Sequence, residues 1–247
     1  MQDSMKPLSL TLIVAATPSN AIGRNSSLPW RLSQEMAYFA RMTKGEDAHA
    51  KNAVIMGRKS WEGIPKKFRP LPGRINVVAS FDLCVSSIVV WSLSLSAAHE
   101  AAVVHIFDSG DAPDTFLASS VPAAVERVRH SQQSPPRTFL IGGAQLYNAA
   151  LKEATEPSLD KTPYSIDRVL LTRLFTEYPD CDTFLRDFAN HQTAEGRPAW
   201  RRAGDAELRE WAGWDVPTGR QTEQDKAAKG AEKIVEYEYQ MWVRTDP

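Results

Sequence analysis

Thr138-Phe139-Leu140-Ile141-Gly142-Gly143-Ala144-Gln145-Leu146-Tyr147 is the stretch on which the fold turns. Thr138 to Ile141 is a short apolar run, the signature of a strand buried on both faces. Two glycines follow, and Ala144 to Ala154 then reads as a helix. A second stretch repeats the pattern: Ala53 to Met56 is apolar, Gly57 ends it, Arg58-Lys59-Ser60 follow, and Ser60 to Ile64 forms a short helix stopped by Pro65. A strand that passes through a glycine turn into a helix is the unit of an α/β sheet.

Working outward, the same alternation fills most of the chain. Leu8 to Ala16 is a first buried strand, and Thr17 to Pro29 is a loop rich in Gly, Asn, Pro and Ser. A helix follows, with Ser33 as its N-cap and Leu32, Met36, Phe39, Ala40 and Thr43 at helical spacing up to Lys44-Gly45. Arg74 to Ser80 and Asp167 to Leu174 read as strands, and Val121 to His130 as a helix with Pro122 in its first turn. Ile234 to Arg244 alternates apolar and polar residues, which predicts a half-exposed strand that joins antiparallel at or near an edge. The expected class is α/β: one domain over residues 8–245, a mostly parallel central sheet and helices on both faces. Insertions are expected at about 84–114 and 189–233, the latter mostly surface loop.

The bulk numbers exclude several classes. Among 247 residues, 43% are hydrophobic and 24% charged, enough for a buried core in a globular protein. A net charge of −1 gives no basic excess for nucleic acid. Trp200 to Trp214 offers aromatic side chains for base stacking, but Asp205, Glu207, Glu210 and Asp215 interleave with them. Two cysteines, Cys84 and Cys181, make no disulfide framework and suit a reduced, cytoplasmic setting. Lys6 and the apolar run after it look like a short signal peptide, yet Asp3 and the lack of a small-residue cleavage site favour a buried strand. Ile88 to Phe107 is too interrupted by His99, Glu100 and His105 to span a bilayer. No His/Cys cluster has metal-ligand spacing.

Some residues carry chemistry. Glu35 borders an apolar helix face beside Met36 and one turn from Phe39; a carboxylate there must be paired, solvated or protonated. It reads equally as a first-turn glutamate favoured by the helix dipole. Gly57-Arg58-Lys59-Ser60 offers amides at a helix start, two cations and a hydroxyl, which is either a phosphate site or a solvated basic turn. Gly142-Gly143 lets a diphosphate approach the backbone, although G-x-G-x-x-G is absent. Arg74, after Pro70-Leu71-Pro72-Gly73, is either a carboxylate clamp or a surface cation.

Taken in order, these segments resemble the dihydrofolate reductase family, of the eukaryotic, fungal type. The resemblance rests on Ile13-Val14-Ala15, Ile22-Gly23-Arg24-Asn25, Leu28-Pro29-Trp30, Glu35-Met36 with Tyr38-Phe39, Val54 to Trp61, Ile64-Pro65, Arg69-Pro70-Leu71, Gly73-Arg74-Ile75-Asn76, Ile141-Gly142-Gly143 with Tyr147, Leu171-Thr172-Arg173 and Asp182-Thr183-Phe184. It covers most of 8–82 and 137–188, and the last strand more loosely.

The resemblance implies NADPH-dependent reduction of dihydrofolate, with antifolates as inhibitors, no nucleic-acid or membrane partner, no metal, and a monomer. Glu35 would be the active-site acid on the pterin's amino group and ring N–H, braced by Thr172, with Trp30 beside it. Ile13, Val14, Ala15, Met36, Phe39, Ile64 and Leu71 would line the pterin and benzoyl pocket, and Arg74 would hold the glutamate tail's α-carboxylate. Ala15, Ile22, Gly23, Arg24, Asn25, Ser26 and Ser27 would cover the nicotinamide. Gly57, Arg58, Lys59, Ser60, Ser80 and Phe81 would surround the adenosine 2′-phosphate; Ile141, Gly142, Gly143, Ala144, Gln145 and Leu146 would take the diphosphate, with Tyr147 near the nicotinamide. Cis peptides at Gly142-Gly143 and Arg69-Pro70 are implied as well.

The chain also departs from the family. Ala21 precedes Gly23 by two, Phe68 replaces a polar residue near the substrate tail, and Phe81 stands where an arginine often meets the 2′-phosphate. Cys84 to Gly110 matches nothing in the family and reads as a lineage-specific insertion or as non-native sequence. A pyrimidine reductase of riboflavin synthesis shares the fold but would not need Glu35, Phe39 and Arg74 together. A folate- or nucleotide-binding module without turnover is the rival of another class.

Overall fold

A computed structural model of the chain describes residues 6–45, 50–80, 114–131, 134–155, 162–193, 195–228 and 233–245. Six strands form its parallel centre: β1 (Leu8–Ala16), β3 (Asn52–Gly57), β4 (Arg74–Ala79), β5 (Thr115–Ala118), β6 (Thr138–Leu140) and β7 (Tyr164–Leu174). With β10 (Gln221–Gln224) and β11 (Ile234–Arg244), the strand order is β10-β11-β7-β1-β6-β3-β4-β5. β11 runs antiparallel to β7, while β10 and β9 (Trp200–Arg202) pair antiparallel with β11. The terminal strand is therefore flanked rather than outermost. A separate ribbon pairs β2 (Ala21–Gly23) with β8 (Thr183–Phe184).

Alternation along each strand sorts side chains into two cores. Leu10, Leu12, Val14, Ile55, Val77, Leu140 and Leu171 face α3 (Val121–Arg129) and α4 (Ala144–Thr155). Ile13, Val54, Met56, Phe139, Leu170 and Tyr239 face α1 (Ser33–Thr43), α2 (Arg58–Gly63) and α5 (Asp205–Ala212). A register shift between Leu10 and Thr11 opposite β7 lets Ile166 and Val169, three apart, face the same side.

Two expectations are corrected and one is refined. Much of the region 189–233 is loop, as expected, but β9, α5 and β10 also lie within it. Their signals are short, since α5 buries only Leu208 and Ala212 and β10 is Gln-Thr-Glu-Gln, held by backbone pairing with β11. Ser33 is not the N-cap of α1; Leu32 holds that position and offers no side-chain cap. The buried face of α1 is Glu35, Tyr38, Met42 and Thr43, whereas Met36 is 47% exposed. The expected insertion at 84–114 lies outside the described residues except for Asp114, and Phe81 also lies outside them. Among the described residues, no helix is long and apolar enough to cross a membrane.

Candidate active site

The site forms where the carboxyl ends of β1, β3 and β6 open beneath α1. Such a crevice is where open α/β sheets bind ligands. Glu35 enters it from the first turn of α1 and is almost fully buried. Thr172, on the same face of β7, donates from Oγ1 to Glu35 Oε1 at 3.2 Å. Burial raises the Glu35 pKa to about 7; the Thr172 hydrogen bond pulls it down and the Glu223 carboxylate adds a smaller push upward. A carboxyl tuned to neutrality inside an apolar wall is suited to exchange protons near physiological pH.

That wall contains most of the expected lining. Ile13 is buried on the Glu35 side, and Ala15, Phe39, Ile64 and Leu71 pack partly buried against the same core. Val14 is an exception: its side chain belongs to the core beneath α3 and α4, so only its backbone can border the site. Trp30 is buried with its ring 5.2 Å from that of Tyr178, and its Nε1 has no hydrogen-bond partner among the described residues.

Arg74 lies at the start of β4 and is 6% exposed. Its Nη1 donates to Thr43 Oγ1 at 2.7 Å and its Nε to the Pro72 carbonyl at 3.1 Å. Burial lowers its pKa to about 10, and it has no carboxylate partner among the described residues. A buried guanidinium held by two neutral acceptors, with donors to spare, is a place for an anionic group. The surface-cation reading of Arg74 is thereby set aside.

The glycine turns converge across the neighbouring strands β3 and β6. Gly57 donates to the Gly142 carbonyl at 2.7 Å, and Ile141 to that of Ile55 at 2.9 Å. Gly142 has φ +124°, and the Gly142-Gly143 peptide is cis, as is Arg69-Pro70. A β-carbon on Gly142 or Gly143 would lie 3.1 or 3.2 Å from Ser60 Oγ, so these glycines keep open a cradle roofed by the first turn of α2. The helix α4 starts there: Leu146 and Tyr147 donate to the Gly143 carbonyl, while Ala144 and Gln145 form its first turn. Tyr147 donates from its hydroxyl to the Ile13 carbonyl at 2.6 Å, tying α4 to β1 beside the site. Arg58 is half-exposed and 3.8 Å from Glu62, Lys59 is exposed, and Ser80 is buried at the end of β4.

The loop over the site is more ordered in pattern than its composition suggests. Arg24 and Ser27 exchange backbone hydrogen bonds, with Asn25 and Ser26 between them at φ +49° and +60°. That two-residue turn needs left-handed backbone at both positions, which Asn tolerates better than most residues. Ile22 and Gly23 are buried, and the Asn25 amide donates to Asp182 at 2.9 Å.

Several contacts on the Glu35 side of the sheet are not legible in the sequence. Tyr38 stacks on Tyr239 at 3.9 Å, and Thr43 holds Arg74. Glu223 and Asp225 reach the start of α1 from a polar stretch nearly two hundred residues away. Only their acidity marks them, and acidic residues are plentiful there.

Comparison with known proteins gives the family. A family model described as dihydrofolate reductase matches residues 9–107. The dihydrofolate reductase of Cryptococcus neoformans is 41% identical over 95% of this chain and 94% of its own length. That of Pneumocystis carinii is 34% identical over 96% and 97%, and that of Heliothis virescens 33% over 76% and 84%. Glu35 paired with Thr172, a buried Arg74 and the Gly142-Gly143 turn thus sit in a chain aligned almost end to end with fungal relatives, and the chain belongs to the dihydrofolate reductase family.

Proposed function

We propose that this oxidoreductase reduces 7,8-dihydrofolate to 5,6,7,8-tetrahydrofolate with NADPH. The observation that carries the reading is the buried Glu35–Thr172 pair, a carboxyl poised near neutrality on an apolar floor. Dihydrofolate presents a flat heterocycle with adjacent N–H donors at one end and carboxylates at the other. Glu35 accepts from the amino group and ring N–H of the pterin, a bidentate pairing that orients the ring. Ile13, Ala15, Phe39, Ile64 and Leu71 exclude water from it, and Arg74 takes the tail α-carboxylate. Its spare donors support that role.

The chain also fits a dinucleotide. The turn at Gly57, Gly142 and Gly143 supports a diphosphate site: a β-carbon on Gly142 or Gly143 would crowd Ser60 Oγ, and the start of α4 adds favourable dipoles. Arg58, Lys59 and Ser60 would hold the 2′-phosphate, with Ile22 to Ser27 over the nicotinamide. When bound, NADPH supplies hydride to C6 of the dihydropterin. The protein's work is to align two rings in a dry slot and to hold a proton for N5. Glu35 lies on the amino-group side, so its proton reaches N5 through water. Trp30 Nε1, buried and without a partner among the described residues, is a donor available to orient such a water.

The test is loss of NADPH absorbance on adding dihydrofolate, with and without an antifolate. The account expects antifolate-sensitive oxidation. NADPH oxidation with a pyrimidine substrate and not with dihydrofolate would replace this reading by the pyrimidine reductase one, and binding without oxidation would leave a non-catalytic module.

A further inference from the structure

The amino-terminal end of α1 is held by a side chain from a distant strand. Leu32, at the N-cap, has no group to satisfy the first amides of the helix. Such orphan donors are met by side chains or by water. Glu223 on β10 supplies the acceptor: both of its oxygens lie 3.0 Å from the Gln34 amide, and Oε1 also accepts from the Ser33 amide. Lys226 donates to Ser33 Oγ at 2.7 Å. Asp225 accepts from the Arg31 amide at 2.8 Å and from the Tyr178 hydroxyl at 2.7 Å. Glu35 is the next residue after this clamped pair, so the direction of its side chain is set by the same turn.

We propose that Glu223 is a positioning residue for the reduction: it fixes the first turn of α1, and through that turn the placement of the Glu35 carboxyl against Thr172. This rests on the reading of Glu35 as the acid that contacts the pterin. The carboxylate of Glu223 also bears on the proton affinity of Glu35. Among the described residues, the groups whose hydrogen bonding or charge couples to Glu35 are Thr172 on β7, Tyr38 on α1, Tyr147 on α4, Tyr237 and Tyr239 on β11, and Glu223 on β10. Glu223 is the one carboxylate in that set, and its charge disfavours a second negative charge nearby. Removing the charge favours ionised Glu35 and moves its titration downward.

Charge and clamp separate by substitution. Glu223→Gln removes the charge and keeps an oxygen that accepts from the helix amides; Glu223→Ala removes both. Glu236→Gln, a carboxylate on β11 paired with Arg220 at 2.8 Å, is the control for a charge change elsewhere. The readouts are the pH profile of dihydrofolate reduction, the KM for dihydrofolate, and the carbon NMR titration of the Glu35 carboxyl. Glu223→Gln should move both midpoints to lower pH. Glu223→Ala should do the same and raise KM several-fold, an increase that Glu223→Gln largely reverses. Glu236→Gln should leave the midpoints in place. An unmoved midpoint in Glu223→Gln, with Glu223→Ala changing only Tm, would overturn the proposal. Glu35→Gln measured alongside keeps the two readings apart: if it retains parent turnover, the reading of Glu35 as the acid fails, whatever Glu223 does.

Discussion

Replacing Glu35 with Gln should stabilise the fold, and the gain should grow with pH. Burial raises the Glu35 pKa from 4.5 to about 7, against the hydrogen bond from Thr172 and with a smaller contribution from Glu223. Below about pH 4.5 folded and unfolded chains both hold the proton, so parent and variant differ little on this account. Between 4.5 and about 7 the unfolded chain releases the proton while the folded one keeps it, and the parent loses stability as pH rises. Above that range both are ionised and the whole penalty stands. One pKa unit corresponds to about 1.4 kcal/mol, which sets the full penalty at about 3 kcal/mol. In a protein of this size that is roughly 6–12 °C in Tm. Gln fills the same space and keeps an oxygen for Thr172, so the variant removes the charge without creating a cavity. Urea unfolding of parent and variant from about pH 4.5 to about pH 8.5, followed by tryptophan fluorescence, measures the difference directly. A stability difference that stays flat across that range would refute the claim that Glu35 bears a buried ionisation penalty.

Three further outcomes are expected. Arg74→Met should raise KM for dihydrofolate by roughly 10- to 100-fold, the worth of charge-assisted hydrogen bonds, and should leave a pterin without a glutamate tail nearly unaffected; equal losses for both would remove Arg74 from tail recognition. Arg58→Ala should weaken NADPH by up to about tenfold and NADH hardly at all, since Glu62 at 3.8 Å already shares the half-exposed guanidinium; parallel titrations decide, and equal losses would mean that Arg58 does not read the phosphate. Residues 84–110 match nothing in the family and supply none of the residues assigned to the site, so a short Gly/Ser turn in their place should preserve turnover, because loop length changes closure entropy only slowly; lost NADPH binding with folding retained would make the segment part of the cofactor site.

The parallel centre of the sheet was legible because strands buried on both faces are largely apolar. Leu8 to Ala16 is so apart from Ser9 and Thr11, Ala53 to Met56 throughout, and Thr138 to Leu140 after its first residue, and each lies in a strand of the structure. Thr115 to Ala118 carries no such signal: it is four residues long, and three of them are only half-buried. Glu35 stood out in the sequence, but its burial did not. The apolar spacing of α1 placed Met36 toward the core, whereas the packed face runs through Glu35, Tyr38 and Met42. A helix with apolar residues on two sides has no unique inward face until its neighbours are known. The neighbours here are β10 and β11, where Tyr239 receives Tyr38 and Glu223 receives the first amides. Those contacts join residues far apart in the chain, and a Gln-Thr-Glu-Gln strand that buries little leaves no periodicity to find. Arg74 was undecidable between clamp and surface for the same reason, since Thr43 and the Pro72 carbonyl become its partners only on folding.

The most direct test of the account is the pH profile of dihydrofolate reduction by Glu35→Ala. Glu35 is assigned to hold the pterin and to supply its proton from a carboxyl with a pKa of about 7. The variant should therefore lose turnover sharply at neutral pH, keep its NADPH affinity, and regain part of its activity in acid, where the substrate arrives already protonated. Parent-like turnover at pH 7 would contradict the account and reduce Glu35 to a first-turn residue of its helix.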